Sequence, residues 1–167
     1  MYSISAIGQD SHRFASECKP DGRALTLGGI KFPGEAPLCG NSDADAVLHA
    51  LCNAISGLTG VNVLGEIADV MCKKCGVTDS AAYVIESMKY LEDAKIVHIS
   101  FSVECARPKL APRIAEMREN IARISGIGAG DVCITATSGE GLTDFGRGLG
   151  VQALCIVTAV KNSSQEI

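Results

Sequence analysis

Tryptophan is absent from the 167 residues and all aromatics together supply only 4%, although 47% of the chain is hydrophobic. The apolar content is therefore mostly aliphatic, and so much of it in a short chain points to an oligomer. Basic charge is also scarce, with 15 Lys and Arg against 19 Asp and Glu, a net charge of −4 and a pI near 5.3. That balance excludes the basic footprint of a nucleic-acid binder. A polyanionic ligand must then be held by local devices such as helix N-termini, metals or a few Lys and Arg side chains. No uncharged run is fit to cross a membrane, because the longest, Ala46 to Leu64, is interrupted by His49, Asn53, Ser56, Gly57, Thr59, Gly60 and Asn62. The N-terminus shows no basic segment followed by an apolar stretch. No export signal is expected, and the expected location is the cytoplasm, or a plastid-type organelle in a eukaryotic host. Internal repeats and low-complexity segments are lacking too.

Eight cysteines are present. Without export signals they read as small apolar fillers in a reducing compartment rather than as a disulfide scaffold. Cys72-Lys73-Lys74-Cys75 is the only CxxC. With no second CxxC and no neighbouring His it makes a poor zinc knuckle, and structural or surface thiols are the default.

The length suits one domain over residues 1–161, long enough to bury roughly 70% of its unfolded surface, with a loose tail at 162–167. A strand is expected to His12, followed by a hairpin-like region around Gly22, Gly28, Gly29, Pro33 and Gly34. Helical spacing predicts a second helix from Asp79 to Ala94, with Ala81, Val84, Ile85, Met88 and Leu91 inward, and a third from Ala111 to Ser125, stopped by Gly126. Between them Val97, Ile99, Phe101 and Val103 alternate with His98, Ser100 and Ser102. Strands near 132–136 and 151–160 complete an α/β sandwich of sheet and helices.

Chemistry concentrates in three places. Asn41 to His49 opens a helix, with Ser42 as the expected N-cap and Asp43 and Asp45 in its first turn. Ser42, Asp45, His49 and Asn53 recur on a polar stripe, so His49 is expected to be accessible, either as a ligand or as a structural histidine. Asp10 and His12 are two apart, so on a strand both side chains leave the same face. With His49 they make two imidazoles and a carboxylate, the three-ligand set with an open position that zinc favours in catalytic sites. Thr137-Ser138-Gly139-Glu140-Gly141 offers hydroxyls, free N–H groups and a carboxylate, suited to phosphate and magnesium, or is an ordinary polar turn. No GxxxxGK[ST] exists, Gly146 to Gly150 precedes a strand rather than a helix, and Ser138 lacks a GxSxG elbow.

The motifs 8–14, 42–51, Pro108-Lys109-Leu110 with Met117-Arg118, and 136–140 followed by Gly146-Arg147-Gly148 occur in order. In these the chain resembles the 2-C-methyl-D-erythritol 2,4-cyclodiphosphate synthase family across nearly its whole length. The resemblance implies a ferredoxin-like sandwich of α+β type assembling as a homotrimer with active sites between subunits. It implies zinc on Asp10, His12 and His49, magnesium (or manganese) on Glu140, and Thr137 and Ser138 against the substrate diphosphate. Arg107, Pro108, Lys109, Leu110 and Ala111 would form the cytosine pocket. Ser11, Asn41, Ser42, Glu66 and Arg147 complete the expected substrate-binding set, and Ser138, Glu140 and Asn41 the expected catalytic one. The implied reaction is attack of the 2-phosphate of a CDP-linked methylerythritol phosphate on the β-phosphorus, with release of CMP.

Four departures stand out. Asn41 replaces a His, Glu66-Ile67-Ala68 replaces Asp-Ile-Gly, Leu149 stands where many members carry Glu, and Met71 to Asp79 replaces a Phe-Pro-Asp-Thr-Asp-Pro loop. Lys73 and Lys74 in that segment read either as phosphate-handling groups or as a solvated basic turn. Two other activities fit the residues: a non-catalytic trimeric zinc paralogue that binds isoprenoid diphosphates or nucleotides, and a zinc-dependent hydrolase.

Overall fold

The computed structural model describes residues 1–15 and 22–162, so the tail expected at 162–167 lies, beyond Asn162, outside the described residues. Within them the order is β1 (Tyr2–Arg13), β2 (Leu25–Leu27), β3 (Ile30–Phe32), α1 (Ala46–Thr59), α2 (Ala68–Cys75), α3 (Ser80–Met88), β4 (Lys95–Glu104), α4 (Ile114–Ser125), β5 (Val132–Thr137) and β6 (Gly150–Lys161). Four strands form a mixed sheet in the order β1-β6-β4-β5, in which β6 runs antiparallel to both neighbours and β5 parallel to β4. β2 and β3 make a separate hairpin. β1 is therefore parallel to β4, with β6 inserted between them, whereas β4, α4 and β5 form an adjacent parallel crossover. The sequence of elements is β-α-β-α-β-β rather than the β-α-β-β-α-β of a ferredoxin-like fold, which corrects that expectation while keeping the mixed sheet-and-helix sandwich.

Alternation sorts the sheet into two faces. Ile99, Phe101, Val103, Val132, Ile134, Val151, Ala153, Cys155 and Val157 are buried beneath the helices. Register lines up the other face in rows: Ile7, Ile156, Ser100 and Cys133; Gln9, Leu154, Ser102 and Thr135; Ser11, Gln152, Glu104 and Thr137. This second face stays open, with Ile7 at 66% and Ile156 at 48% exposure. On β4 the expected alternation fails at its start, where a bulge between Ile96 and His98 buries Ile96 and turns Val97 outward.

Helix α1 lies between the sheet and α3, and the residues from Ala46 to Cys52 are buried all round it. It starts later than the sequence suggests. Ser42 Oγ accepts from the Ala44 N–H and Asp43 Oδ1 from the Asp45 N–H, two local turns that hold Ala44 at φ 56° and delay the helix. Asp45, not Ser42, is the N-cap: its Oδ1 accepts from the N–H groups of Val47 and Leu48, each at 3.1 Å. The same carboxylate accepts from Gly28 N–H at 2.9 Å and Gly29 N–H at 2.6 Å. Those two glycines form the β2–β3 turn at φ 60° and 75°, the left-handed pair that a tight hairpin requires. One side chain thus joins hairpin to helix. Burial pushes the Asp45 carboxyl up to about 6, against the backbone N–H donors that favour its ionised form.

Gly8 sets the distance between β1 and α1. A Cβ there would lie 2.2 Å from the Ala50 carbonyl oxygen and 2.3 Å from the Ala54 nitrogen, so only glycine admits this approach. It brings the Asp10 end of β1 against the helix turn that carries His49.

The Met71 to Asp79 segment is not a loop throughout. After an irregular turn over Val63–Ile67, in which Leu64 and Gly65 leave helical geometry, α2 runs to Cys75 and ends at Gly76. α3 is capped by Asp79 and stops at Met88, six residues short of the expected end, and Ile85 is exposed rather than inward. α4 follows expectation, with Met117 and Ile121 buried and Gly126 closing it in the left-handed conformation. Cys39 is disulfide-bonded, which corrects the all-thiol reading, while Cys52, Cys72, Cys75, Cys105, Cys133 and Cys155 are free.

Candidate metal centre and phosphate cleft

Asp10 and His12 leave the helix side of β1, as their two-residue spacing demands, and meet His49 from α1. Asp10 Oδ2 lies 2.9 Å from His12 Nε2 and 3.0 Å from His49 Nδ1, and the two ring nitrogens are 3.2 Å apart. A tetrahedral zinc with bonds of about 2.0–2.2 Å has ligand-to-ligand edges of roughly 3.3–3.5 Å, so this triangle closes on one ion with little adjustment. The donor set fits a divalent metal of the zinc type. His49 is 8% exposed, contrary to the accessible stripe expected, because α3 covers the side of α1 away from the sheet.

Electrostatics of the three groups are coupled. Burial would raise the Asp10 carboxyl, but hydrogen bonds to His12 and His49 outweigh it and hold the group down at about 2. Burial would lower His12, but its hydrogen bond and charge interaction with Asp10 win and raise it above 6.5. In the metal-free protein the protonated His12–Asp10 pair therefore stabilises the fold fully below pH 6.5, and that contribution is lost as pH rises through the raised His12 value. Metal binding runs the opposite way, since the ion must displace that proton. Affinity measured by competitive chelation is expected to fall on acidification, beginning above pH 6.5; a constant affinity from pH 8 to pH 5.5 would contradict this ligand set.

The centre opens into a cleft of about 320 Å³ lined also by Asn41, Ser42, Asn53, Leu64, Gly65, Ala68, Asp69, Cys72 and Tyr83. Asn41 and Ser42 thus line the same cleft as Asp10, His12 and His49. Lys73 and Lys74 are not among its lining residues. Lys73 is exposed and pairs at 2.9 Å with Asp69, which lines the cleft together with Ala68 and Cys72 of the same helix, and the Cys72 thiol donates to the Asn41 carbonyl at 3.3 Å. Sequence reading gave Cys72 no importance, because nothing in it showed that a helix forms there. Glu66 lies in a different groove with Ile67, Val70, Met71 and Glu86.

A second cleft of about 340 Å³ gathers Pro108, Lys109, Leu110 and Ala111 with Ala136, Thr137 and Ser138. Thr137 Oγ1 accepts from the Gly139 N–H at 3.2 Å, and Ser138 Oγ donates to Glu140 Oε1 at 3.2 Å. Glu140 itself holds a left-handed φ of 50°, an unfavourable conformation for a side-chain-bearing residue that aims its carboxylate back at the Ser138 hydroxyl. Arg107 is not among the residues that line this cleft; its guanidinium lies 4.1 Å above the Phe14 ring and 3.6 Å from Glu35. Arg147 pairs with Asp144 at 2.6 Å, and Ser11 lines a further cleft with His12, Arg13, Asp144, Phe145, Leu149 and Gly150. The chain therefore brings Asp10, His12, His49, Asn41 and Ser42 together, and separately Pro108 to Ala111 with Thr137 and Ser138. The two clefts share no lining residue.

Comparison with known proteins gives a consistent result. A 2-C-methyl-D-erythritol 2,4-cyclodiphosphate synthase of Chlamydia muridarum is 47% identical over 156 residues, 93% of this chain and 86% of that protein. A solved 2C-methyl-D-erythritol-2,4-cyclodiphosphate synthase superposes with a TM-score of 0.78 at 27% identity, covering 94% of this chain and all of the other. The bifunctional IspDF of Campylobacter jejuni shares the fold with a TM-score of 0.85 at 24% identity, this chain spanning 43% of that longer one. Residues 4–160 match the YgbB family, and the chain belongs to it.

Proposed function

We propose that this protein converts 4-diphosphocytidyl-2-C-methyl-D-erythritol 2-phosphate to 2-C-methyl-D-erythritol 2,4-cyclodiphosphate and CMP, in non-mevalonate isoprenoid biosynthesis. The observation that carries the proposal is the convergence of Asp10, His12 and His49 on one point beside an open cleft, in a chain that matches synthases of that name along nearly its whole length.

The reaction forms a bond from a 2-phosphate oxygen to the β-phosphorus and breaks the β-phosphorus bond to the bridging oxygen, which leaves with CMP. Nucleophile and electrophile belong to one substrate, so the protein's task is to fold that substrate on itself and to offset its charge. Zinc on Asp10, His12 and His49, and magnesium or manganese on Glu140, would supply positive charge to the phosphate oxygens. Ser138 and Thr137 present hydroxyls and the N–H groups of a tight turn to the diphosphate. Asn41 and Ser42 would flank the metal centre and contact the 2-phosphate, and Arg107 to Ala111 would hold the cytosine, mainly through backbone groups. Glu66, which follows the cleft-lining Leu64 and Gly65 but itself faces a neighbouring groove, would have to turn toward the cleft to serve the ribose. No side chain is required as a base, because a phosphate oxygen is already anionic.

The two clefts share no lining residue, and in the reading proposed here they come together from neighbouring copies, so that one substrate bridges two chains. The open sheet face, with Ile7, Ile156 and Leu154 on its β1–β6 side, supports the homotrimer in which they would meet. The domain over residues 1–161 acts as a unit of that assembly, in the cytoplasm. The test is complementation. Variants His49→Ala and Ser138→Ala, each impaired alone, should recover activity when refolded together, because mixed trimers contain an interface with both clefts intact. Additive activity with no recovery, or a monomeric mass by light scattering, would show that the site lies within one chain.

A further inference from the structure

His49 is held at both ring nitrogens. On the side away from Asp10, Nε2 lies 2.8 Å from Ser80 Oγ, and Ser80 is fully buried in the first turn of α3. The Ser80 hydroxyl makes a short hydrogen bond to Asp43 Oδ1, and Asp43 Oδ2 accepts from the Ser80 backbone N–H at 3.2 Å. The Asp43 N–H in turn donates to the Thr78 carbonyl at 2.8 Å. The segment before α1 and the start of α3 are thus tied to each other through the group that touches the imidazole. Ser42 Oγ, 3.4 Å from the same nitrogen, is a longer contact already accepting from the Ala44 N–H.

The chain of bonds has a direction. An ionised carboxylate only accepts, so the single hydroxyl proton of Ser80 goes to Asp43. The oxygen of Ser80 then has only lone pairs left for His49, and Nε2 must be the donor. A neutral imidazole carries one N–H, so Nδ1 is bare. In the metal-free protein a proton shared with Asp10 occupies the gap between Nδ1, Asp10 Oδ2 at 3.0 Å and His12 Nε2 at 3.2 Å, and a cation that displaces it meets the Nδ1 lone pair.

We infer that Ser80 and Asp43 are positioning residues of the metal centre: the Asp43–Ser80 pair holds His49 in the tautomer and ring orientation that present Nδ1 to the ion. The inference rests on the metal reading of Asp10, His12 and His49. Loss of such an outer partner typically weakens metal binding by about 10- to 100-fold.

The experiment titrates the metal-free, full-length protein with Co²⁺, reading the dissociation constant and the visible d–d band, with thermal unfolding of each metal-free variant as the control for folding. Ser80→Ala and Asp43→Asn should bind about 10- to 100-fold more weakly with an altered band, and Ser80→Thr, which keeps the hydroxyl, should recover both. A purely structural role would lower the unfolding temperature without a change in the band that Ser80→Thr restores. His49→Ala separates the two claims. If it loses Co²⁺ binding while Asp43→Asn and Ser80→Ala bind like wild type, the positioning role is overturned and the metal centre stands. If His49→Ala itself binds like wild type, the metal reading fails. Should Ser80→Ala not fold, Asp43→Asn decides alone, unchanged affinity overturning the inference.

Discussion

A His49→Ala protein is expected to purify with little of the metal that wild type carries and to release CMP from the CDP-linked substrate at a small fraction of the wild-type rate. Loss of an outer-shell partner alone costs about 10- to 100-fold in affinity, so removing a ligand should cost roughly 100-fold or more. The reason is geometric. Asp10 and His12 come from one strand and span only one edge of the ligand triangle, and the ring of His49 supplies the third vertex at 3.0 and 3.2 Å from them. Without it the remaining pair retains its own interaction at 2.9 Å and gains no constraint from α1. Elemental analysis paired with the turnover rate checks this. Wild-type metal content in His49→Ala would remove the residue from the centre, whereas full metal content with lost turnover would move it from ligation to substrate handling.

The second large effect belongs to stability. Asp45→Ala should lower the unfolding free energy by about 3 kcal/mol or more, since one change deletes a helix cap and leaves buried donors unpaired. Four backbone N–H groups, those of Gly28, Gly29, Val47 and Leu48, depend on that carboxylate. For a chain of this size the loss corresponds to roughly 6–12 °C in unfolding temperature. Asp45→Asn keeps one acceptor oxygen at the same place and should lose less. Calorimetry of the three proteins at one pH and metal content checks the order. Equal unfolding temperatures for wild type and Asp45→Ala would show that solvent or a neighbouring group satisfies the four donors.

Much of the metal centre was legible because it follows from short periods. A two-residue spacing puts Asp10 and His12 on one strand face whatever the rest of the chain does, and a helix through Val47 to Leu58 displays His49 somewhere on its surface. Their meeting was not legible, since it depends on Gly8 letting α1 approach β1. The burial of His49 was missed for a related reason: an amphipathic pattern tells which side of a helix is polar, not whether α3 covers it. Local side-chain turns at Ser42 and Asp43 outcompeted the helix and moved its cap to Asp45, a contest between near-equal hydrogen bonds that composition does not decide. Ser80 gave no signal at all, 31 residues from His49 and bound to it only by tertiary packing. At Met71 to Cys75 the departure from the family's loop drew attention to charge, and so to Lys73 and Lys74. The helical turn there instead presents Ala68, Asp69 and Cys72 to the cleft. On β4 a single bulge at Val97 reversed a clean alternation, because one inserted residue exchanges the faces of everything before it.

The most direct measurement of the central claim is ³¹P NMR of the purified, metal-loaded protein acting on 4-diphosphocytidyl-2-C-methyl-D-erythritol 2-phosphate in ¹⁸O-enriched water. Cyclisation predicts CMP and a cyclic diphosphate in equal amounts, with all three phosphorus resonances free of any ¹⁸O shift, since the attacking oxygen is the substrate's own. Product phosphorus carrying solvent oxygen would instead identify a hydrolase, and bound substrate with no CMP released would identify a binding protein.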